Sequence, residues 1–421
     1  MPAITGLPRP PSLAGAPWLA APATQTVLAC VTRGGGQARI VGGAVSNALL
    51  GRPVKDIDIA TTVAPTEVME RAAACGLTAI PTGLAHGTVT LIFEHTPFEV
   101  TTLRRDVTTD GRRAEVAFTS DWGADAQRRD FTVNALYCDA DGTVHDFVGG
   151  YADLMARRIR FIGTPEARIR EDYLRILRFY RFSAEYAEGA LEARDHAACG
   201  ALQEGLEQIS AERVHSELMR LLVAGGAVNV LKAMYETGLL TRLIPLPLDV
   251  GAVARLAAIE NQLEIAADPV RRLAALVVLK PGQATILRDR LRLSATEYDR
   301  LANIALNRSL LSPVISEAKA RAALYRLGTA TYQDCILIAW VREGLAPTDA
   351  SMTAVFELSK RWQPPQLPVR GADLLALGLA PGPKIGEVLS QFETWWIEQG
   401  FPTDAEVLGR RLSELVKVSK S

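Results

Sequence analysis

The stretch Arg39-Ile40-Val41-Gly42-Gly43-Ala44-Val45, followed by Lys55-Asp56-Ile57-Asp58-Ile59, decides the fold of the first part of this chain. A strand-like apolar run ends in two glycines, and the second stretch alternates aspartate with isoleucine. Because residues two apart on a strand point to the same side, Asp56 and Asp58 are predicted to project from one face. Carboxylates this close repel each other unless a proton or a divalent cation lies between them. The pair therefore predicts a metal-binding strand preceded by a glycine turn.

Size and composition indicate a globular protein of several domains. The chain has 421 residues, 48% of them hydrophobic and 22% charged, and contains no apolar run long enough to span a membrane. The net charge of -1 means that binding to a polyanion would depend on local arginine clusters. The five cysteines are odd in number, widely spaced and form no CxxC pair, which favours reduced thiols in the cytoplasm and gives no support for a zinc site.

The pattern of apolar residues changes near Tyr151 and predicts an α+β protein. Before it, strand-like runs are predicted at Ala38 to Val41, Asp56 to Ala60, Thr88 to Phe93, Phe98 to Thr102 and Thr143 to Asp146, with helices at Val45 to Leu50 and Pro65 to Cys75. After it, long amphipathic segments rich in Ala, Leu, Arg and Glu predict almost only helices. The first part should therefore hold a mixed β-sheet and the remainder should be all-helical.

A third carboxylate strengthens the metal-site hypothesis. Glu99 lies in Phe98-Glu99-Val100-Thr101-Thr102, a second strand-like segment. A surface strand can carry such a glutamate without any function, and for Glu99 considered by itself this is the better interpretation. Three acidic residues on adjacent strands, however, can organise two Mg²⁺ ions for an in-line displacement at phosphorus.

Four ordered motifs carry a family resemblance. Gly42-Gly43-Ala44-Val45 with Asp56-Ile57-Asp58, the segment Phe98 to Arg104, the segment Arg128 to Leu136 and the segment Glu171 to Phe179 resemble the motifs of class II tRNA nucleotidyltransferases, the CCA-adding enzymes, and of the related bacterial poly(A) polymerases. The resemblance implies an N-terminal nucleotidyltransferase head followed by helical neck, body and tail domains. The expected boundaries are residues 1–27 for an N-terminal extension, 28–155 for the head, 156–235 for the neck and 236–421 for the body and tail.

The resemblance also implies roles for individual residues. Asp56 and Asp58 would ligate two Mg²⁺ ions, and Glu99 would help one of them activate the 3′-hydroxyl of a tRNA. Gly43 would offer backbone N–H to the triphosphate of CTP or ATP. Arg129 would contact phosphate, and Asp130 and Asn134 would order the sugar side of the site.

The segment Glu171-Asp172-x-x-Arg175 predicts base selectivity. If Asp172 and Arg175 lie three apart on one helix face, one accepts and the other donates hydrogen bonds side by side. Cytosine and adenine each present an amino donor beside a ring-nitrogen acceptor, so such a pair would accept CTP and ATP and reject UTP and GTP. A surface ion pair is the competing interpretation. Arg178 and Arg181 follow on the same predicted face, which favours a polyanion site.

Three further features bear on activity. The stretch from Arg104 to Asp121 has few apolar residues and is predicted to be a mobile loop, which in the resembled family favours complete CCA addition over CC addition. Ser46 stands where that family usually has an arginine. The C-terminal half contains no histidine cluster of the HD type, so we expect no phosphohydrolase activity. A poly(A) polymerase of the same family and a non-catalytic RNA-binding protein remain the alternatives, and the oligomeric state is not determined by the sequence.

Overall fold

A computed structural model describes residues 9–110, 113–278 and 280–420, with the side chains between 106 and 116 excepted. The chain forms two compact units, Met1–Arg242 and Leu243–Ser421. No helix of the described residues is both long and apolar enough to cross a membrane. The domain boundaries expected from the sequence stay predictions.

The first unit contains the strands of the described residues. They are β1 (Ala38–Val41), β2 (Asp58–Thr61), β3 (Thr78–Gly83), β4 (Thr88–Phe93), β5 (Thr96–Thr102), β6 (Arg104–Asp110), β7 (Arg113–Phe118), β8 (Leu136–Cys138) and β9 (Val144–Asp146). Its helices are α1 (Pro17–Ala20), α2 (Pro22–Thr32), α3 (Gly43–Leu49), α4 (Pro65–Ala74), α5 (Trp122–Gln127), α6 (Gly150–Met155), α7 (Pro165–Glu171), α8 (Leu174–Tyr186), α9 (Ala193–Ala201), α10 (Ala211–Val223) and α11 (Ala227–Glu236), with α12 (Leu239–Leu243) at its end.

The second unit is built from helices, with one isolated β-bridge between Leu248 and Val277 among its described residues. It comprises α13 (Val250–Gln262), α14 (Pro269–Leu276), α15 (Ala284–Leu291), α16 (Ala295–Asn307), α17 (Glu317–Glu343), α18 (Ala350–Arg361), α19 (Gly371–Ala376), α20 (Pro383–Glu398) and α21 (Ala405–Lys420). Short 3-10 helices lie at Leu84–His86, Thr132–Asn134, Gln203–Gln208 and Arg308–Leu310. The predicted α+β class, with a mixed sheet first and helices after it, is confirmed.

Seven strands form one mixed sheet in the order β3-β4-β5-β2-β1-β8-β9. β2 and β5 are parallel, whereas the other neighbouring pairs are antiparallel. One face presents Ile40, Ile59, Val89 and Val100, all at most 1% exposed, and α2 and α4 pack against this side of the sheet. Burial of these apolar side chains fixes the register, because a shift by one residue would turn them toward water.

The opposite face combines a smaller core with polar positions. Val41, Ala60 and Tyr137 pack there with Trp122 of α5. Toward β4 and β5 the same face carries hydroxyls, such as those of Thr88 and Thr101, whose oxygens are 3.1 Å apart. This partly open face is where a substrate can approach the sheet.

Two expectations about the head are corrected. β2 begins at Asp58 and not at Asp56, because β1 ends opposite it at Val41 and leaves the preceding residues without a strand partner on that side. The stretch from Arg104 to Asp121 is largely the antiparallel pair β6 and β7 and not a loop, with residues 111 and 112 outside the described residues. The predicted strands Ala38–Val41 and Thr88–Phe93 have the expected bounds.

Buried ion pairs and aromatic residues stabilise the second unit. Asp334 of α17 is 1% exposed, and its carboxylate accepts hydrogen bonds from Arg271, at 3.0 Å, and from Arg300, at 2.8 Å. Nearer the C-terminus, Phe392 and Trp396 of α20 form the centre of a separate apolar cluster. A buried carboxylate held by two guanidinium groups is costly to disturb, since removal of one partner leaves an uncompensated charge.

Candidate active site

Asp58 and Glu99 lie side by side on the open face of the sheet, on the neighbouring strands β2 and β5. They are partners in the parallel register between β2 and β5, and both residues are exposed. Neighbouring strands are about 4.8 Å apart, and directly paired residues point to the same side. Asp56 lies two residues before the start of β2 and is also exposed. The register of the sheet therefore brings two of the three predicted carboxylates, Asp58 and Glu99, together.

The electrostatics of Asp58 show that negative charge converges here. Desolvation by the surrounding protein, together with the charges of Glu99 and Asp56, raises the pKa of the Asp58 carboxyl to about 6, although the charge of Arg129 opposes this shift. Such a site gains from a cation, since a cation relieves the repulsion between carboxylates. Within the described residues no three His, Cys, Asp or Glu side chains form a ligand cluster on their own.

The glycine turn is fixed by close packing behind the carboxylates. Gly42 has φ 75° and ψ −130°, a conformation that side-chain-bearing residues avoid, and it directly precedes α3. A Cβ atom added there would lie 2.7 Å from Oδ1 of Asn134. Gly43, in contrast, has open space around the position of a Cβ. The first glycine is therefore required by the fold, and the second leaves backbone accessible.

Ser46 belongs to the core beneath this turn. It is 2% exposed, and its hydroxyl donates a hydrogen bond of 2.5 Å to the carbonyl oxygen of Val133. An arginine at this position would have to leave that buried site. The departure from the resembled family is thus accommodated here by a small buried hydroxyl.

Asp130 and Asn134 form one buried network with Arg178. Asn134 Nδ2 donates to Asp130 Oδ1 at 3.0 Å, and Arg178 Nε donates to Asp130 Oδ2 at 2.6 Å. Burial alone would raise the pKa of Asp130, but the Arg178 charge and these hydrogen bonds lower it to about 2. Asp130 is therefore ionised and holds α8 against the segment that contains Asn134.

The predicted base-reading pair has other partners in this structure. Asp172 lies between α7 and α8 with φ −158°, outside both helices, so the expected position on one helix face is wrong. Its carboxylate accepts a hydrogen bond of 2.7 Å from Arg213 of α10, while Arg175 is paired with Glu171 and donates to the Arg168 carbonyl oxygen at 3.0 Å. A nucleotide that binds Asp172 or Arg175 would exchange or share these partners.

Arg181 is a buried structural cation. It is 7% exposed, and its guanidinium donates to Glu217 at 2.5 Å and to Glu185 at 2.8 Å. Arg178, which is more accessible, also approaches Glu217, with a distance of 3.7 Å between Nη1 and Oε1. The two arginines predicted to serve a polyanion thus share one carboxylate of α10.

The sequence interpretation missed the acidic partners of its arginines. Asp125, on α5, lies three and four residues before Arg128 and Arg129 and accepts hydrogen bonds from both. That spacing is typical of helical ion pairs and could have been noticed. The pairing of Arg213 with Asp172 and that of Glu217 with α8 have no sequence signal, because in each case the two segments are distant in the chain.

Comparison with known proteins identifies the family. A family profile described as "Poly A polymerase head domain" matches residues 38–160, and one described as "Probable RNA and SrmB- binding site of polymerase A" matches residues 191–247. The chain is 34% identical over 380 residues to the mouse (Mus musculus) protein named CCA tRNA nucleotidyltransferase 1, mitochondrial, which covers 88% of this chain and 85% of the relative. It is 30% identical to the CCA-adding enzyme of Limosilactobacillus fermentum, over 93% of this chain and 96% of that enzyme.

Solved structures agree with the sequence relatives. The crystal structure of Bacillus stearothermophilus CCA-adding enzyme in complex with CTP superposes with a TM-score of 0.73 and 27% identity, covering 94% of this chain and 98% of that one. The Thermotoga maritima CCA-adding enzyme shares the fold with a TM-score of 0.65 and 20% identity, covering 93% of this chain and 94% of that one. With the carboxylates, the glycine turn and the arginine-bearing helix α8 all in place, the chain belongs to the CCA tRNA nucleotidyltransferase family.

Proposed function

We propose that this protein is a template-independent nucleotidyltransferase that adds C, C and A to the 3′ end of tRNA from CTP and ATP, with release of pyrophosphate. The observation that carries the proposal is the register pairing of Asp58 with Glu99, beside Asp56 and Arg129. This arrangement stands in a chain that matches CCA tRNA nucleotidyltransferases over most of its length. The protein is an enzyme on this proposal, and tRNA, CTP and ATP are its partners.

The carboxylates fit Mg²⁺. Asp56 and Asp58 supply hard oxygen ligands, and Mg²⁺ in phosphate-transferring enzymes binds one or two carboxylates together with substrate phosphates. Desolvation and the charges of Glu99 and Asp56 raise the pKa of Asp58, and this cost of holding an ionised carboxylate here is the physical reason for a cation at this place. Bound Mg²⁺ would polarise the attacking hydroxyl and neutralise charge on the departing pyrophosphate. Glu99 would orient the 3′-hydroxyl of the tRNA from the neighbouring strand.

The residues around the carboxylates would bind the nucleotide. The backbone of Gly43 faces open space at the start of α3 and would approach the triphosphate. Arg129 would contact phosphate, since its charge already acts on Asp58. Asp130 and Asn134 would order the sugar side through the hydrogen bond that joins them.

Base selection is assigned to the start of α8. Asp172 and Arg175 would present an acceptor and a donor to the edges of cytosine and adenine. Arg178 would support them through Asp130, and Arg181 would act by holding α8 to α10 through Glu217. We also propose a cytoplasmic location from the pattern of cysteines, although relatives include proteins named mitochondrial.

The decisive experiment is nucleotide incorporation into tRNA that lacks its CCA end, with CTP and ATP supplied separately and together. We expect two C residues and one A, with no incorporation from UTP or GTP. Long A tracts without C would support the poly(A) polymerase alternative, which the description of the matched head profile favours. Binding of tRNA without any incorporation would support the non-catalytic alternative.

Matched variants test the roles of the carboxylates. Asp58→Ala and Glu99→Gln should each lower incorporation by about two orders of magnitude or more, because ligands and orienting groups act mainly in the transition state. Glu70→Gln is the control, since Glu70 is an exposed carboxylate on α4, which packs on the opposite side of the sheet. Equal activity of Asp58→Ala and Glu70→Gln would refute the proposed chemistry.

A further inference from the structure

Asp125 is a fully buried carboxylate that no proposed chemical step uses. It is 0% exposed on the short helix α5, and two of its donors come from the residues that follow this helix. Oδ1 accepts a hydrogen bond from Arg128 Nε at 2.8 Å, and Oδ2 accepts hydrogen bonds from Arg129 Nε at 3.2 Å and Nη2 at 3.1 Å. Burial alone would raise the pKa of Asp125, but the charges of Arg129 and Arg128 reverse this effect and lower it.

Two further groups reach the same carboxylate from separate parts of the chain. The hydroxyl of Tyr137 on β8 donates to Oδ2 at 2.8 Å and accepts from Arg129 Nε at 3.0 Å. The backbone N–H of Arg104, the first residue of β6, lies 3.4 Å from Oδ1. Asp125 thus joins the sheet, the β6–β7 pair and two arginines at one buried point.

The network lies beside the catalytic carboxylates. Tyr137 pairs with Val41, and Val41 pairs with Asp58, so these three residues follow one another across the same sheet face. Arg129 is bound to Tyr137 and to Oδ2 of Asp125 on this face, and its positive charge acts on Asp58, whereas Arg128 is bound to Oδ1. The place of Arg129 relative to Asp58 is therefore set by Asp125 and Tyr137.

We propose that Asp125 is a positioning residue that holds Arg129 beside the carboxylates in the orientation that binds the nucleotide triphosphate. Without the negative charge of Asp125, the released guanidinium is attracted to Asp58 and Glu99, where it competes with the cation and turns away from the phosphates. The inference rests on the proposed nucleotide site. It adds that the affinity for triphosphate depends on a residue that does not touch it.

A double-mutant cycle on CTP binding tests this role. The dissociation constant of CTP is measured by calorimetry on the full chain in MgCl₂, without tRNA, so that the result does not depend on incorporation. Asp125→Asn should weaken CTP binding by about tenfold or more in the wild-type background, and by less than about threefold when Arg129→Gln is already present. A loss in the Arg129→Gln background as large as in the wild type overturns the proposal, as does wild-type affinity of Asp125→Asn.

Two more variants separate positioning from folding. Arg128→Gln removes the other guanidinium from Asp125 and should weaken CTP binding by less than about threefold, because Arg128 is bound to Oδ1, whereas Arg129 is held by Oδ2 and by Tyr137. If Asp125→Asn fails to fold, Tyr137→Phe replaces it in the cycle, since it removes one hydrogen bond and no charge. Tyr137→Phe should weaken CTP binding by about threefold, and this effect must disappear when Arg129→Gln is already present. An effect of the same size in the Arg129→Gln background overturns the proposal.

The Mg²⁺ dependence of incorporation gives an independent reading. Asp125→Asn should need more Mg²⁺ for half-maximal incorporation than the wild type, because Arg129 then competes for the carboxylates. Added Arg129→Gln should remove that increase, whereas an unchanged Mg²⁺ requirement in Asp125→Asn would contradict the competition. A wild-type protein that binds CTP in this cycle but incorporates nothing would refute the proposed function and leave the positioning role standing.

Discussion

Replacement of Gly42 by alanine should destabilise the first unit and displace a residue of the candidate site. The backbone at Gly42 has φ 75° and ψ −130°, which costs a residue with a side chain about 1–3 kcal/mol. The new methyl group would lie 2.7 Å from Oδ1 of Asn134. Movement of Asn134 weakens its hydrogen bond to buried Asp130 and costs a further ~1–3 kcal/mol. The expected loss in the free energy of unfolding is therefore about 2–6 kcal/mol.

Gly43→Ala is the matched control for this prediction. Gly43 is the first residue of α3, has no positive φ and has nothing within 4 Å of the position of a Cβ. Alanine is favoured over glycine in a helix by up to about 1 kcal/mol, so this variant should unfold at the same urea concentration as the wild type or a higher one.

The assay is urea unfolding of the full chain followed by circular dichroism, with hydrogen–deuterium exchange to assign the change to the first unit. Faster exchange in peptides around Gly42 and Asn134 is expected only for Gly42→Ala. Equal destabilisation by both variants, or a loss below about 1 kcal/mol for Gly42→Ala, would refute the argument from backbone conformation and close contact.

Three more predictions concern buried carboxylates. Asp195 is 4% exposed, accepts the Phe161 N–H at 2.7 Å, and burial raises its pKa from 3.8 to about 6. Because the folded pKa exceeds the unfolded one, wild-type stability should fall as the pH rises from about 4 to about 6, and Asp195→Asn should be the more stable by up to about 3 kcal/mol at pH 8 but not at pH 4; equal melting temperatures at pH 8 would contradict this. Glu217→Gln should destabilise the first unit by about 3 kcal/mol in urea unfolding, since it leaves buried Arg181 with one carboxylate partner in place of two, and a neutral effect would show that this pair is dispensable. Asp334→Asn should lower the unfolding free energy of the second unit by about 3 kcal/mol, because Arg271 and Arg300 lose their shared carboxylate. Hydrogen exchange within α17 should then be faster, and unchanged exchange there would refute this prediction.

The strands predicted from sequence are those with strong apolar alternation. β4 has the expected bounds because its buried residues recur at every second position, and β1 has them because two glycines follow Val41 and end its apolar run. β3 was missed because it is an edge strand that contains Pro81 and is largely exposed, so its pattern is weak. The β6–β7 pair was missed for the same reason, since a polar two-stranded ribbon resembles a loop in sequence.

The sequence by itself determined the family, the fold class and the types of residue in the site. Asp56, Asp58 and Glu99 were found because carboxylates within short strand patterns are local features, readable from neighbours along the chain. The four ordered motifs added the expected activity, and the relatives confirm the family.

Only the tertiary structure decided which charges meet. It paired Asp58 with Glu99 in the sheet, Asp172 with Arg213 and Arg181 with Glu217, and it brought Arg104 and Tyr137 to Asp125. A carboxylate or guanidinium can pair with any opposite charge within reach, and packing of segments distant in the chain sets which one that is. Short local segments of the sequence therefore identify the chemical groups of the site, whereas the fold decides their partners and orientation.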